Sequence, residues 1–499
     1  MTRSLCHVLC CSLLLVSGAF PAQKEDLAAE SQRAKQAMTE GRFEEAAALY
    51  GELVRAEPED AGFVLDWGLA LHSAGRYREA ARQFEAYLKR RPDSGPVWLL
   101  LGLDYQKLGD PQHAIRPLER ALRVDPNNKT TLLELGQALV EVGRPGEAQS
   151  ELPKLTELYP DCAEAWQALG LMYVALARRA FGELEEVAPD SAYHDVLLAR
   201  SLIERNQYYA GFHLYKQALA KAPQLRAVYE GLAEAYRRTG HPDWAAVEES
   251  RKRELPPLDC ASQRLECLFL ARNYRALVGL AKEHKTPESL YWEAWGYSEL
   301  SREAFTHLSL MPPSPAIHDL LAEAYRVQGK YELCAEEWQQ ALRLAPSDPR
   351  QKEGLARAVW LEREYQQARP LLEELIRTQP ESAELNYELG DTLVQVNAAD
   401  KAIPLLEKAV QLSPGGKPAH ASLGRAYMRV GEPEKAIPHL KAALDLDAEG
   451  SLYYQLAQAY QKTGQQSLAK QTFRQFQEIS RAAQARKPQR VEEYQITPP

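Results

Sequence analysis

Residues 95–128 read GPVWLLLGLDYQKLGDPQHAIRPLERALRVDPNN, and their spacing decides the fold. Trp98, Leu101, Gly102 and Tyr105 follow the i, i+3, i+4, i+7 rule of one helical face. Gly109 suits the left-handed residue that ends such a helix. Ala114, Leu118 and Ala121 form the stripe of a second helix, which Pro126 stops. Numbered from Gly95 as one, these markers stand at positions 4, 7, 8, 11, 15, 20, 24, 27 and 32. The same offsets recur 34 residues later as Leu132, Leu135, Gly136, Leu139, Gly143, Ala148, Leu152, Leu155 and Pro160. Such a period predicts stacked helix-turn-helix units, none of which buries its apolar face alone.

Working outward, the register places units at 27–60, 61–94, 95–128, 129–162, 192–225, 226–257, 315–348, 349–382, 383–416, 417–449 and 450–483. Position 8 stays small throughout (Gly68, Gly102, Gly136, Ala199, Ala322, Gly390), as does position 20 (Ala80, Ala114, Ala148, Gly211, Cys334, Ala402), so paired helices approach closely. Two stretches depart. Residues 163–191 reach Pro189 early, which predicts a short hairpin, and 258–314 read as two degenerate hairpins. The lapses are related: Tyr173, Leu176, Phe181, His194 and Asp195 match Tyr297, Leu300, Phe305, His318 and Asp319, always 124 residues on. Duplication of a multi-repeat block explains the match; the alternative is a pair of bends that shape a partner surface.

The small-residue and Trp/Leu/Gly/Tyr/Ala/Pro pattern resembles the tetratricopeptide repeat family over residues 27 to 483. That resemblance implies an all-α, right-handed superhelical solenoid of stacked hairpins, organised as an N-terminal array over 27–257, degenerate hairpins over 258–314 and a C-terminal array over 315–483. In this family the first helices line a concave surface, with positions 2, 5, 9, 12 and 13 pointing into it. Here those positions nominate a partner-binding groove of Leu65, Leu69, Leu99, Leu103, Lys107, Leu133 and Gln137, rimmed by His72, Gln106 and Glu141. The alternative is that position 5 only packs between units. Further on, Glu230, Glu234, Asp319, Glu323, Glu353 and Arg357 make the surface acidic and mixed. No unit carries the Lys and Asn pair at positions 5 and 9 with which some relatives clamp C-terminal carboxylates.

A net charge of −9 argues against binding driven by nucleic-acid phosphate. Arg3, the apolar run Leu5 to Val16 and the small residues Ser17-Gly18-Ala19 describe an export signal over 1–19. Cleavage after Ala19, cleavage after Ala22 and retention as an anchor all stay open, and no later segment is apolar enough to span a bilayer. Residues 484–499 read as a flexible tail. Of seven cysteines, Cys162, Cys260, Cys267 and Cys334 follow the signal. On one helix Cys260 and Cys267 stand about 10 Å apart, too far for a disulfide; Cys334, at a small-residue position, reads as core.

Catalytic nucleophile, metalloprotease, phosphate-loop and dinucleotide motifs are all missing from their expected settings. Gly415-Gly416-Lys417 falls at an inter-repeat turn, and His194-Asp195 and His318-Asp319 read as capping or surface dipeptides rather than metal ligands. The expectation is an exported, periplasmic or secreted scaffold that binds other proteins or peptides, with no catalysis, cofactor or metal. A structural subunit of an envelope, secretion or polysaccharide-export assembly is the alternative; self-association stays open.

Overall fold

A computed structural model describes residues 20–486 and 496–499; the expected signal over 1–19 lies outside the described residues. Among the described residues the regular structure is helical throughout. The described residues fall into two compact units, the first ending at Met172 and the second beginning at Tyr173.

The hairpin at 95–128 shows how local chemistry sets the repeat. Its first helix, Gly95–Lys107, starts with proline in the first turn and ends as Gly109 turns left-handed at φ 69°. The second, Pro111–Val124, begins where Asp110 accepts the backbone N–H of His113. Gly102 is required by contact, since a Cβ there would stand 2.6 Å from Leu118. Position 8 therefore meets position 24 of its own hairpin.

Hairpins are joined by a contact that the apolar pattern does not reveal. Trp98 Nε1 donates to the carbonyl of Pro92 at 2.7 Å, and Trp166 Nε1 does the same to Pro160. In the second unit Tyr229 Oη donates to Pro223 O at 2.6 Å, and Asn386 Nδ2 to Pro380 O at 2.9 Å. Each donor occupies position 4, and each acceptor is the proline at position 32 of the preceding hairpin.

The first unit holds the hairpins Phe20–Thr39/Phe43–Ala56, Ala61–Ser73/Tyr77–Arg90 and Gly95–Lys107/Pro111–Val124. Its fourth pairs Lys129–Glu141 with a short turn of 3-10 helix and Glu151–Leu158. Tyr50, Leu53, Leu71, Phe84 and Leu101 belong to its core.

In the second unit five hairpins run from Pro315 to Arg486, around Leu372, Leu389, Leu406, Leu423 and Leu440. The two lapses differ from expectation. Residues 163–187 form one continuous helix, because position 15 is Ala177 rather than glycine and nothing around it breaks the run. Likewise 258–314 holds one short hairpin, Arg264–Leu270/Tyr274–Ala281, followed by the single helix Pro287–Ser309.

These matched helices meet: Tyr173 and Tyr297 stack with centroids 5.9 Å apart. Arg200 bonds buried Glu299 at 2.9 Å while lying 4.6 Å over the Trp295 ring. The duplicated stretches thus pack against one another within this unit.

Cys260 and Cys267 form a disulfide, with Cα atoms 5.7 Å apart. The expected 10 Å separation assumed one helix, whereas the helix begins only at Arg264 and Cys260 lies in the turn before it, held by Asp259 bonds to Ala261 and Ser262. Cys334 is buried, its thiol pushed up to about 11 by that burial.

The His-Asp dipeptides are neither surface residues nor caps. His194 stacks on Phe181, Asp195 accepts Lys221 at 2.6 Å, and His318 lies 2.6 Å from Glu337. Ser191 and Ser314 do the capping. In the expected flexible tail the helix Gln466–Arg486 runs into the segment, and Thr497 accepts a hydrogen bond from Tyr236.

Replacing Trp98 by Phe keeps the ring and removes the donor to Pro92. The expected cost is about 1 kcal/mol, measured by urea unfolding followed by circular dichroism.

Candidate functional site

In the first unit three successive first helices carry the nominated groove residues. Ala61–Ser73 holds Leu65 and Leu69; Gly95–Lys107 holds Leu99, Leu103 and Lys107; Lys129–Glu141 holds Leu133 and Gln137. All are half-buried except Lys107, which is exposed. Leu65 and Leu69 also pack against the core cluster, so each leucine divides its surface between packing and solvent.

The apolar row has an acidic edge that the position rule passes over. Asp66 and Glu134 stand at position 6, and Asp104 at position 10. Burial pushes the Asp66 carboxyl up, with the charge of Lys35 opposing. Burial also raises Glu134, opposed by Lys107 and a hydrogen bond from Gln106. Asp104 is fully buried; its Oδ1 lies 2.5 Å from His72 Nδ1, which only partly offsets the desolvation that raises its pKa. The signal for these residues was present in the sequence: acids one position beyond the groove face, each beside a groove position of the preceding hairpin.

The second unit's first helices are polar and internally paired. Glu234 is held below the ordinary carboxylate range by hydrogen bonds from Arg238 and then Arg237. Arg357 bonds Glu388 at 2.8 Å and Glu353 at 3.4 Å, and Arg425 lies 3.3 Å from Asp391. Glu230 pairs with Lys252, Glu323 with Arg326, and Asp319 with Gln351. A depression of about 480 Å³ opens here, lined by Arg200, Glu204, Glu234 and Arg238 at positions 9 and 13, with Tyr215 and Leu333. One of similar size in the first unit lies elsewhere, among Leu122, Arg123, Pro126 and Leu135, and includes none of the nominated residues.

Among the described residues no group of three His, Cys, Asp or Glu side chains is placed to hold a metal ion, and no helix is long and apolar enough to cross a membrane.

None of the curated proteins matches the chain. Among solved structures, MamA from Desulfovibrio magneticus RS-1 is 22% identical over 34% of this chain and 96% of its own, with a TM-score of 0.31. A tetratricopeptide repeat protein from Parabacteroides merdae ATCC 43184 is 13% identical over 67% of this chain and 99% of its own, with a TM-score of 0.30. YrrB, described as a TPR protein with an unusual peptide-binding site, is 21% identical over 34% of this chain and 91% of its own, at 0.29. At these scores the likenesses support no functional argument. Tetratricopeptide-repeat family models match residues 32–96 and 353–417, 105–171 and 393–460, 315–348, and 450–482. Together they take in more than half of the chain and fall on the hairpins described above, so the chain belongs to the tetratricopeptide-repeat family, a family of protein-interaction scaffolds.

Proposed function

We propose that the chain is an exported, non-catalytic scaffold whose first unit binds an amphipathic peptide or helix carrying apolar anchors and a basic flank. The observation that carries this reading is the half-buried row Leu65, Leu69, Leu99, Leu103 and Leu133 beside carboxyls that burial holds above their ordinary range. An apolar face laid on such a row removes the leucines from water. A cation beside Asp66 and Glu134 offsets the cost of keeping their charges half-buried. Specificity then comes from pairing shape with one sign of charge. Membership of an envelope or secretion assembly is a narrower form of the same reading, in which the partner is another subunit.

Export is supported by residues 1–19 and by the Cys260–Cys267 pair, which suits an oxidising compartment. Alkylation of the unfolded, unreduced protein tests it: chain purified from its native envelope fraction is expected to leave Cys260 and Cys267 unmodified while Cys162 and Cys334 react. Four reactive thiols would count against export.

Affinity capture from the native envelope, with and without Leu69→Glu and Leu103→Glu together, tests the groove. Hot-spot losses of about 2 kcal/mol or more predict at least a thirty-fold fall in affinity with helical content unchanged. Unfolding of the variant instead makes the leucines core residues and removes the groove assignment.

Binding is also expected to depend on pH in one direction. Raised carboxyls take up protons earlier as pH falls, and neutral acids attract a cation less. Affinity for a basic amphipathic peptide therefore drops between pH 7 and 5, and Asp66→Asn with Glu134→Gln flattens that slope in a titration followed by fluorescence anisotropy.

A further inference from the structure

Tyr236 finds its hydrogen-bond partner in a distant part of the chain. Position 11 carries Tyr105 and Tyr427, whose hydroxyls donate to Glu85 (2.7 Å) and Glu407, each twenty residues earlier. Twenty residues before Tyr236 stands Lys216, which has no acceptor to offer. The hydroxyl of Tyr236 instead donates to the main-chain carbonyl of Thr497 at 2.7 Å, 261 residues along the chain.

Around this bond the packing is aromatic. The fully buried Tyr236 ring meets Phe212 at 5.3 Å and Trp244 edge-on at 5.6 Å, and Trp244 stacks on His241 at 4.1 Å. Burial lifts the phenol to about 12, so it stays a donor through the physiological range. At 100° per residue, position 11 lies on the opposite side of its helix from position 9. The site is therefore separate from the groove face.

The segment itself suits such a surface. Ile496 and Pro499 are half-buried while Thr497 and Pro498 are exposed. Residues three apart share one face of a polyproline II helix. Pro498 and Pro499 have no N–H, so they bind only through carbonyls and rings. Residues preceding proline are held extended, which leaves little chain entropy to lose on docking. Tethering through residues 487–495 makes the encounter intramolecular.

The geometry points to an aromatic docking site at Phe212, Tyr236 and Trp244 for an extended, proline-containing segment, occupied in this chain by its own Ile496–Pro499. The 226–257 hairpin thus carries an internal ligand on a face that the groove does not use. An incoming segment of the same chemistry, an aliphatic residue three before a proline, would have to displace it.

A photo-crosslinking side chain (benzoylphenylalanine) placed at position 496 of the full-length protein tests this. Irradiation is expected to join residue 496 to the helices Tyr208–Lys221 or Pro242–Glu254 of the same molecule. Tyr236→Phe keeps the ring and removes about one hydrogen bond's worth of docking, a yield lower by about five-fold. Leu69→Glu with Leu103→Glu leaves the yield unchanged, so failure of the groove reading and failure of this one are separable. Cross-links scattered over many hairpins, cross-links between molecules, or an unchanged yield in Tyr236→Phe would overturn the proposal.

Discussion

Where a proline ends a hairpin its carbonyl needs a donor, and a donor from the next hairpin fixes the two together. Proline at position 32 stops the second helix, and its carbonyl faces the neighbouring unit. Trp98, Trp166, Tyr229 and Asn386 meet that carbonyl from position 4. Where position 4 is apolar, another side chain takes over. Behind Val64, Pro58 O accepts Arg90 Nη2 at 3.2 Å; behind Leu132, Pro126 O accepts Lys154 Nζ at 2.7 Å. Tryptophan, tyrosine, asparagine, arginine and lysine have little in common except an N–H or O–H that reaches. The constraint is therefore the satisfied acceptor, and the large ring at position 4 is one way of meeting it while adding buried area.

A second constraint acts inside the hairpin, where Gly102 lets Leu118 sit against the helix backbone. Hairpins built this way present two faces to their neighbours and stack. The helices Ala163–Val187 and Pro287–Ser309 have no such return strand of helix, and they leave long sides to be covered. In the second unit, residues 173–187 and 287–309 cover one another in part, through Tyr173 on Tyr297. Further cover comes from the bonds of Lys285 to Glu183 and Arg200 to Glu299. A buried ion pair adds little net stability over an apolar pair, but it penalises any register that leaves one partner alone. Equivalent tyrosines in contact also say something about origin: duplicated surfaces that were once alike are well suited to meet each other.

The period made the hairpins legible, because small residues at positions 8 and 20 and a left-handed residue at 15 leave few alternatives. Gly109 at φ 69° is the plain case, and Asn206 and Arg363 adopt the same conformation where glycine is missing. What stayed hidden depended on three-dimensional neighbours. The pairing of Cys260 with Cys267 needed the helix start at Arg264, and terminal boundaries are weakly encoded. The continuous helix over 163–187 turned on the absence of a stop signal, which is harder to read than its presence. His194 and Asp195 looked like surface residues because their partners, Phe181 and Lys221, come from other helices. Along the nominated row the leucines were legible from their spacing, but the acids beside them acquire their raised pKa from burial, which no spacing rule reports.

That difference between spacing and burial also separates the two units as binding surfaces. Both carry carboxylates along their first helices. In the second unit Arg238, Arg357 and Arg425 already pair with Glu234, Glu388 and Asp391, so an incoming cation must displace an internal one there, although burial still holds Glu388 and Asp319 above the ordinary carboxylate range. In the first unit the charges of Lys35 and Lys107, with a hydrogen bond from Gln106 to Glu134, only partly offset the burial that raises Asp66 and Glu134. On the proposed reading, a ligand that brings both apolar area and a positive charge relieves two costs at once there. Affinity for such a ligand follows from where charge is unpaired rather than from where charge is abundant.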